Sequence, residues 1–315
     1  MKVQLSPSTT GFLLASITAV MWGVLPVFLK VLLTNTDAYT ITAARFVFAA
    51  VFVFVVLVLG GALPKLRQVH KNSWIILVFG TLVLLVNYVT NVIALDYVSP
   101  STVQLVLQIA PFLLMLGGVV FYKEGFSQLQ VFGAAMLILG LLLFFNQRIP
   151  VIISSPDESL EGVLLVVVSA VAWSAYALTQ KKLLLSFTSN QLTLVIYVMG
   201  GAFLLPLIDI YSLFTLSEWQ WFALIFCCLN TVVGYGAFTK AMHIWDASKV
   251  SAVITIAPIF TYLSNKIAIS IAPEIFIDAQ LGWLAYFGAG MVIAGAMLAS
   301  IGKRKIHSSS SAASG

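Results

Sequence analysis

The sequence predicts an all-α integral membrane protein with ten transmembrane helices, arranged as two inverted five-helix repeats. Composition and an internal repeat are the two observations that predict it. The chain has 315 residues, of which 61% are hydrophobic and 9% charged, whereas about 25% of an ordinary soluble domain is charged. Its apolar runs are about twenty residues long, which is the length a helix needs to cross a hydrocarbon core of about 30 Å.

The internal repeat is a recurrence of the same residue types at constant spacing. Residues 11–33 return as residues 162–184, and residues 133–140 return as residues 288–295. Matched pairs are Trp22 and Trp173, Lys30 and Lys181, Ser101 and Ser248, and Pro111 and Pro258. Because five crossings per copy is an odd number, the second copy is inserted upside down relative to the first. Inverted repeats of this kind are typical of alternating-access transporters.

The apolar segments define the ten helices in order. We predict them at residues 11–33, 38–60, 73–95, 99–121, 127–146, 160–182, 190–211, 218–241, 248–270 and 278–300. The first repeat is then residues 1–146 and the second is residues 160–302. Residues 147–159 form a periplasmic linker, and the small, polar residues 303–315 form a disordered cytoplasmic tail. Cys227 and Cys228 are adjacent in an apolar segment, which argues against a disulfide or a metal site.

Charge asymmetry between the short connections predicts the orientation. Basic residues collect at the end of the helices where the chain begins, and they are Lys2, Lys65, Arg67, Lys71, Lys123, Lys181, Lys182, Lys240, Lys249, Lys303, Arg304 and Lys305. Most of the acidic residues belong to connections at the opposite end. The positive-inside rule therefore places both termini in the cytoplasm. This bias explains the net charge of +5, so no nucleic-acid partner is expected.

Two motifs connect this arrangement with a known family. Each repeat begins with small residues before a tryptophan, ending at Trp22 and at Trp173. The second motif runs from Ile109 to Leu143. An apolar residue directly before Pro111 is followed by Lys123-Glu124 and then by two glycines in the next helix. These features resemble the drug/metabolite transporter superfamily, and most closely its EamA-type ten-helix members. The second repeat departs from the pattern, because Glu274 lies farther from Pro258 than Glu124 lies from Pro111.

The resemblance covers residues 11 to 301 and implies a function. Such proteins are mostly inner-membrane carriers that export amino acids, other metabolites or drugs, with a minority acting in uptake. The resemblance implies a central cavity lined by helices one, three, four, six, eight and nine. It also implies that the two halves rock around a bound small molecule within the bilayer.

Prolines interrupt three of the predicted helices. Pro111 and Pro258 occupy equivalent positions near the middle of helices four and nine, and Pro26 lies in helix one. Proline removes a backbone donor and kinks the helix, which leaves carbonyl groups free. Free carbonyls at membrane depth are tolerated only against protein or a wet cavity. We interpret the three prolines as gating or cavity-wall residues, with a kink that only shapes packing as the alternative.

Amide side chains form two inward-facing pairs. Asn87 and Asn91 lie one turn apart on helix three, as do Gln104 and Gln108 on helix four. Amides are costly against lipid, so both pairs are predicted to face the protein interior. Interhelical hydrogen bonding is the alternative role for each of them. Of these four, Asn87, Asn91 and Gln108 are the predicted polar lining of the cavity.

Aromatic side chains cluster on the same helices. The candidates for substrate binding are Trp22, Tyr88, Trp173, Tyr176, Tyr235, Phe238 and Tyr262. Trp22 and Trp173 lie at mid-helix, away from the interfacial belts where tryptophan is usual. Structural packing is the alternative role for most of these residues. A cavity lined by amides and aromatic rings suits an amphipathic organic solute better than an inorganic ion.

Two basic residues lie clearly inside predicted helices. Arg45 of helix two and Lys266 of helix nine both fall in the outer third of the membrane. Either could extend to the interface, and this is the interpretation that we favour for Arg45. Lys266 is on a cavity-lining helix two turns beyond Pro258, and we predict that it binds an anionic group such as a substrate carboxylate.

Acidic residues are absent from the middle of the predicted helices. Small proton-coupled multidrug carriers of the same superfamily depend on a membrane-embedded Glu in the first helix, and no residue here matches it. Direct proton exchange by a carboxylate is therefore not expected, and facilitated efflux is favoured, with coupling by a group that the sequence does not identify as the alternative. The sequence predicts no catalytic residue, no metal site and no cofactor.

Other functions stay open at this stage. A membrane-embedded lipid-modifying enzyme is a remote alternative, because His70, His243 and His307 are scattered and no catalytic motif is found. A channel is disfavoured because the lining has no charged ring. Within the carrier class, an amino acid or a related zwitterionic or anionic solute is favoured over amphipathic drugs or uptake of a vitamin or nucleobase. The glycines of helix ten fit either a homodimer or packing within a monomer.

Overall fold

The computed structural model describes residues 6–64, 70–125, 127–146, 160–276 and 282–301. The predicted linker and tail lie outside the described residues. The first repeat contains α1 (Pro7–Leu32), α2 (Ala38–Leu59), α3 (Lys71–Tyr97), α4 (Pro100–Leu107), α5 (Ile109–Tyr122) and α6 (Gln128–Phe144). The second contains α7 (Leu160–Leu183), α8 (Ser189–Leu204), α9 (Ile210–Phe214), α10 (Glu218–Ile244), α11 (Ala247–Ile254), α12 (Ala257–Ile271) and α13 (Trp283–Ile301).

These helices confirm the predicted all-α membrane fold. In the described residues, 8 spans are long and apolar enough to cross a membrane, with α4 and α5 forming one span and α11 and α12 another. The shorter apolar helices α6 and α13 complete the ten predicted segments. The predicted seventh helix is shorter than expected, because Pro206 lies in a 3-10 turn after α8. The short helix α9 then begins at its N-cap Asp209.

Helices four and nine of the prediction are each broken into two pieces. The first break lies at Gln108, between α4 and α5, and the second lies at Thr255 and Ile256, between α11 and α12. Pro111 and Pro258 follow these breaks within the first turn of α5 and α12, where proline's missing N–H needs no helical partner. The breaks therefore occupy equivalent places in the two repeats.

Each repeat packs its first helix against the other repeat. Helix α1 contacts α10 and α12 of the second repeat, and α7 contacts α3 and α5 of the first. The last helices of the two repeats, α6 and α13, pack against each other. Glycines allow their backbones to meet: a Cβ added at Gly288 would lie 2.6 Å from the Gly140 carbonyl oxygen, and one at Gly295 would lie 2.7 Å from that of Gly133. These helix-ten glycines are therefore used in packing within the chain.

The bundle has two chemically different ends. We call the end where α1 and α11 begin the basic end; it carries Lys71, Lys181 and Lys249. The other end, where α1 finishes and α4 begins, carries Asp37 and Glu274, and we call it the acidic end.

Candidate functional site

A cavity lies between the two repeats near the helix breaks. The space between its lining atoms, part of which is open to solvent, is about 680 Å³. It is bounded by seven of the ten predicted spans, including the second, which the resemblance does not imply. The lining residues are Trp22, Leu25, Pro26, Arg45, Asn87, Tyr88, Asn91, Gln104, Leu107, Gln108, Ala110, Pro111, Trp173, Tyr235, Ile254 and Ala257. Nine of the fourteen predicted site residues are in this set.

Aromatic rings form the wall of the cavity toward the basic end. The ring centroids of Trp22 and Trp173, the repeat mates, lie 5.5 Å apart in an edge-to-face arrangement. Tyr235 packs 4.7 Å from Trp22, and Tyr88 packs 5.2 Å from Tyr235. Such pairs bury a large apolar area and hold one another in place. The indole N–H of Trp22 has no hydrogen-bond partner among the described residues and packs against Gly234 of α10, where a Cβ would lie 2.9 Å from the indole nitrogen.

The amide side chains of the cavity include two kinds: one bonds between helices, and two others keep a side-chain oxygen without a hydrogen-bond partner in the described part of the chain. The Asn87 side-chain N–H₂ donates to the hydroxyl of Ser169 at 2.8 Å and to its carbonyl at 3.1 Å, which joins α3 to α7. Gln108 donates to the Gln104 carbonyl at 3.2 Å. The side-chain oxygens of Gln104 and Gln108 are buried without a partner in the described part of the chain. Unsatisfied buried acceptors are costly; both residues line the cavity, although these two oxygens have almost no accessible surface in the described state.

Arg45 supplies the charge of the cavity. Its side chain is 2% exposed, its Nε donates to the hydroxyl of Thr231 at 2.9 Å, and its Cζ lies 4.5 Å from the centre of the Tyr88 ring. None of the described carboxylates forms an ion pair with it. A buried cation without a counter-ion is costly at membrane depth and marks a functional site. Arg45 can therefore bind an anionic group that enters the cavity.

The prolines act mainly through the backbone. Pro26 and Pro111 line the cavity, whereas Pro258 lies beside it, after the lining residue Ala257. Pro111 and Pro258 deprive the carbonyls four residues earlier of helical partners, and those carbonyls belong to Leu107 and Ile254, both of which line the cavity.

Four further predicted site residues lie outside the cavity. Tyr176 and Phe238 are buried behind the wall, where Phe238 packs 5.3 Å from Trp173. Tyr262 packs against Phe144 of α6 instead. The exposed Lys266 lies 5.7 Å from the Tyr262 ring, on the same stripe of α12. The expectation that Lys266 borders the cavity was therefore wrong.

Helical phase explains this error. Ala257, Thr261 and Asn265 are buried and spaced one turn apart on α12, and Thr261 donates to the Gly23 carbonyl of α1 at 2.7 Å. Lys266 is one residue beyond this stripe, which rotates it about 100° around the helix. A sequence signal for Arg45 exists: it shares a face of α2 with Thr42 and Ala49, whereas the opposite face is bulky and apolar.

Glu124 connects the two repeats at the basic end. Its carboxylate accepts a bond of 2.5 Å from the Lys181 ammonium and bonds of 3.0 Å from the N–H groups of Ala247 and Ser248. We call these four residues the Glu124 latch. It joins the α5–α6 connection of the first repeat to α7 and α11 of the second. The two N–H groups are at the start of α11, where a helix favours a negative charge.

Local backbone geometry positions this carboxylate. Lys123 ends α5 in the left-handed conformation, with φ 51°, and the Glu124 N–H donates to the Gly118 carbonyl at 3.1 Å. The turn folds the carboxylate back over α5. A Cβ added at Gly118 would lie 2.6 Å from Oε2 of Glu124, so a glycine is required for this close approach.

We expect the latch to persist from neutral to mildly acidic pH. Burial raises the pKa of the Glu124 carboxyl, but the Lys181 charge and the three hydrogen bonds together lower it below the ordinary value of 4.5. A carboxyl with a lowered pKa stabilises the folded state above its ordinary pKa, and this is lost as pH falls through the lowered value. The other charged groups at the start of α11, Asp246 and Lys249, pair with each other at 3.6 Å.

Melting temperatures of the purified protein and its Glu124→Gln variant provide the measurement. Their difference should stay constant from about pH 8 to about pH 5 and shrink only below about pH 4. The exposed Lys182→Ala variant is the control and should melt like the parent at each pH. A difference that already disappears near pH 6 would contradict the lowered pKa.

Comparison with known proteins identifies the family. The chain is 38% identical over 295 residues to the uncharacterized inner membrane transporter YhbE of Escherichia coli K12, covering 93% of this chain and 92% of that protein. It is 37% identical over 294 residues to an uncharacterized transporter of Haemophilus influenzae, covering 93% and 95%. A crystal structure at 17% identity shares the fold, with a TM-score of 0.70 over 92% of this chain and 96% of the other. Residues 9–146 and 160–301 both match the EamA-like transporter family, and the chain belongs to that family.

Proposed function

We propose that this protein is an inner-membrane carrier that exports a small organic solute bearing a carboxylate, such as an amino acid or a related zwitterionic or anionic metabolite. Arg45 is the observation that carries this proposal, because it is a buried cation at the cavity without a carboxylate partner among the described residues. Planar guanidinium groups bind carboxylates through two parallel hydrogen bonds. The inner-membrane location is supported by the relative from Escherichia coli, which is named as an inner membrane transporter.

The rest of the cavity suits the other parts of such a solute. The oxygens of Gln104 and Gln108 are buried without a partner among the described residues, and a small rotation of either side chain into the cavity would let it accept from an ammonium or hydroxyl group. The Trp22 and Trp173 rings offer an apolar surface to a carbon skeleton. A cationic drug would instead be repelled by Arg45, so drug efflux is the less favoured substrate class.

Alternating access follows from how the repeats are assembled. The cavity lies at the interface of the two repeats, and both helix breaks border it. Broken helices at a repeat interface are where substrates bind in transporters with inverted repeats. Rocking of one repeat against the other would open this cavity first at one end and then at the other. Both termini in the cytoplasm and export as the direction belong to the same proposal.

A stability screen of the purified protein tests the substrate class. Amino acids, dicarboxylates, nucleobases, sugars and cationic amphipathic drugs are each compared, because a ligand of the folded state raises the melting temperature by mass action. Each amino acid is paired with its methyl ester, which keeps the side chain and the amine but lacks the anion.

We expect stabilisation by at least one free acid and not by its ester. Counterflow in proteoliposomes then tests transport: preloaded acid should accelerate uptake of the labelled acid. Stabilisation by cationic drugs alone, or equal stabilisation by acid and ester, would rule out the carboxylate hypothesis.

A further inference from the structure

The components of the Glu124 latch have counterparts at the acidic end. Lys181 of α7 matches Lys30 of α1, and Ser248 near the start of α11 matches Ser101 near the start of α4. Glu274 follows helix nine as Glu124 follows helix four. The acidic end thus has a lysine, a glutamate and a helix start from the corresponding places in the opposite repeats.

These counterparts are apart in the described state. The Lys30 ammonium donates to the Leu95 carbonyl within its own repeat. Glu274 is exposed and lies at the rim of an apolar groove between α1, α10 and α12. Among the described residues no ion pair joins Lys30 to Glu274.

Helix packing is also tighter at the basic end than at the acidic end. At the basic end α11 packs closely on α5, whereas the equivalent pair at the acidic end, α4 and α12, is in looser contact. The hydroxyl of Ser251 on α11 also donates to the Pro111 carbonyl on α5. The position of α4 that corresponds to Ser251 is held by Gln104, whose side chain lines the cavity. The described state is therefore closed at the basic end and looser at the acidic end.

We propose that Lys30 and Glu274 form the equivalent ion pair in the opposite state of the transport cycle, so that the protein exchanges one latch for the other. This inference rests on the alternating access of the proposed function and not on the substrate class. Because the repeats are inverted, a motion that separates Glu124 from Lys181 brings the corresponding parts of the acidic end together.

One chemical difference makes the two latches unequal. At the basic end Glu124 accepts from the N–H groups of the first two residues of α11, Ala247 and Ser248. The first residue of α4 is Pro100, which has no N–H, so Glu274 can accept only from Ser101. The latch at the acidic end therefore has one charge-assisted hydrogen bond fewer. This difference favours the state closed at the basic end.

Accessibility of an introduced cysteine reports which end is open. Ala177 is one turn before Lys181, is 0% exposed, and is the repeat mate of the cavity-lining Pro26. The Ala177→Cys protein in detergent is treated with a small maleimide, and the labelling rate is measured by mass spectrometry. The native Cys227 and Cys228 are buried, and labelling of the parent protein is subtracted.

Changes at the two ends should have opposite effects on this rate. Glu124→Gln or Lys181→Met should accelerate labelling of Cys at position 177 about tenfold, because a lost charged hydrogen bond shifts the two-state equilibrium by about that factor. When Glu274→Gln or Lys30→Met is added to Glu124→Gln, the rate should fall back toward the parent value. Exposed neighbours with the same charges, Lys182→Met and Glu218→Gln, are the matched controls and should change nothing.

A variant in which the two charges of the latch are exchanged distinguishes loss of the latch from damage to the fold. Glu124→Lys combined with Lys181→Glu should label more slowly than either single change, whereas a merely damaged fold would label faster still. Acceleration by Glu274→Gln, or no change at either end, would overturn the exchange of latches. No substrate is present, so these outcomes are separate from a failure of the carboxylate hypothesis.

Discussion

Arg45→Met should weaken binding of the proposed carboxylate solute by about 10- to 100-fold, the equivalent of one hydrogen bond to a charged group. The same variant should melt at or above the parent temperature. The reason is that Arg45 is 2% exposed and has no carboxylate partner among the described residues. Methionine has a similar volume without the desolvation cost of a buried charge. If Arg45 mainly held the helices together, Arg45→Met would instead melt at a lower temperature and would bind the solute as the parent protein does.

Ligand-induced shifts in melting temperature, measured as a function of ligand concentration, determine the affinities. Arg45→Lys keeps the charge and loses the planar fork, so it should bind with intermediate affinity. Lys266→Met is the matched control, because Lys266 is a membrane-embedded cation outside the cavity. Unchanged binding by Arg45→Met, or a loss of binding by Lys266→Met, would contradict the assignment of Arg45.

Gly288→Leu should destabilise the fold more than any change at the cavity. A Cβ at this position would lie 2.5 Å from the Phe144 nitrogen and 2.6 Å from the Gly140 carbonyl oxygen. Backbone atoms cannot move aside as a flexible side chain can, so α13 would have to separate from α6. Overpacking of this kind costs about 1–3 kcal/mol and occasionally more. We expect a clearly lower melting temperature and a larger aggregated fraction after extraction in detergent.

The same helix provides the control. Gly290 is exposed, and a Cβ there would meet nothing within 4 Å. Gly290→Leu should therefore melt like the parent protein. If Gly290→Leu were the damaging change and Gly288→Leu were harmless, α13 would instead use its outer face, and pairing of two chains through it would have to be considered.

The fold could be predicted from the sequence because membrane helices depend on local properties. A run of about twenty apolar residues forms a helix in a bilayer whatever its neighbours are, since every backbone group must be satisfied within the segment. The two helix breaks were also predictable, because proline acts on its own turn. The predicted spans agree with those described to within a few residues, except where Pro206 shortens the seventh; the predicted start of the tenth, at residue 278, lies outside the described residues.

The site was only partly predictable, because binding depends on the direction in which each side chain points. Asn87, Asn91 and Gln108 were predicted from the cost of amides in lipid, and all three line the cavity. Lys266 was expected to border the cavity and Arg45 was not, whereas Arg45 is among the lining residues and Lys266 is not. Their positions along the membrane are similar, and what separates them is rotation about their helices, which the sequence shows only through the residues sharing each face.

By itself, then, the sequence determined the membrane class, the ten helices, the repeat and the breaks, since each is set by residues within one helix or one turn. Only the tertiary structure decided that the cavity cation is Arg45, that Gly288 and Gly295 pack against α6, and that Glu124 joins the two repeats. Each of these depends on contacts between helices distant in the chain. Such contacts are set by the rotation and close approach of whole helices, which local composition does not specify.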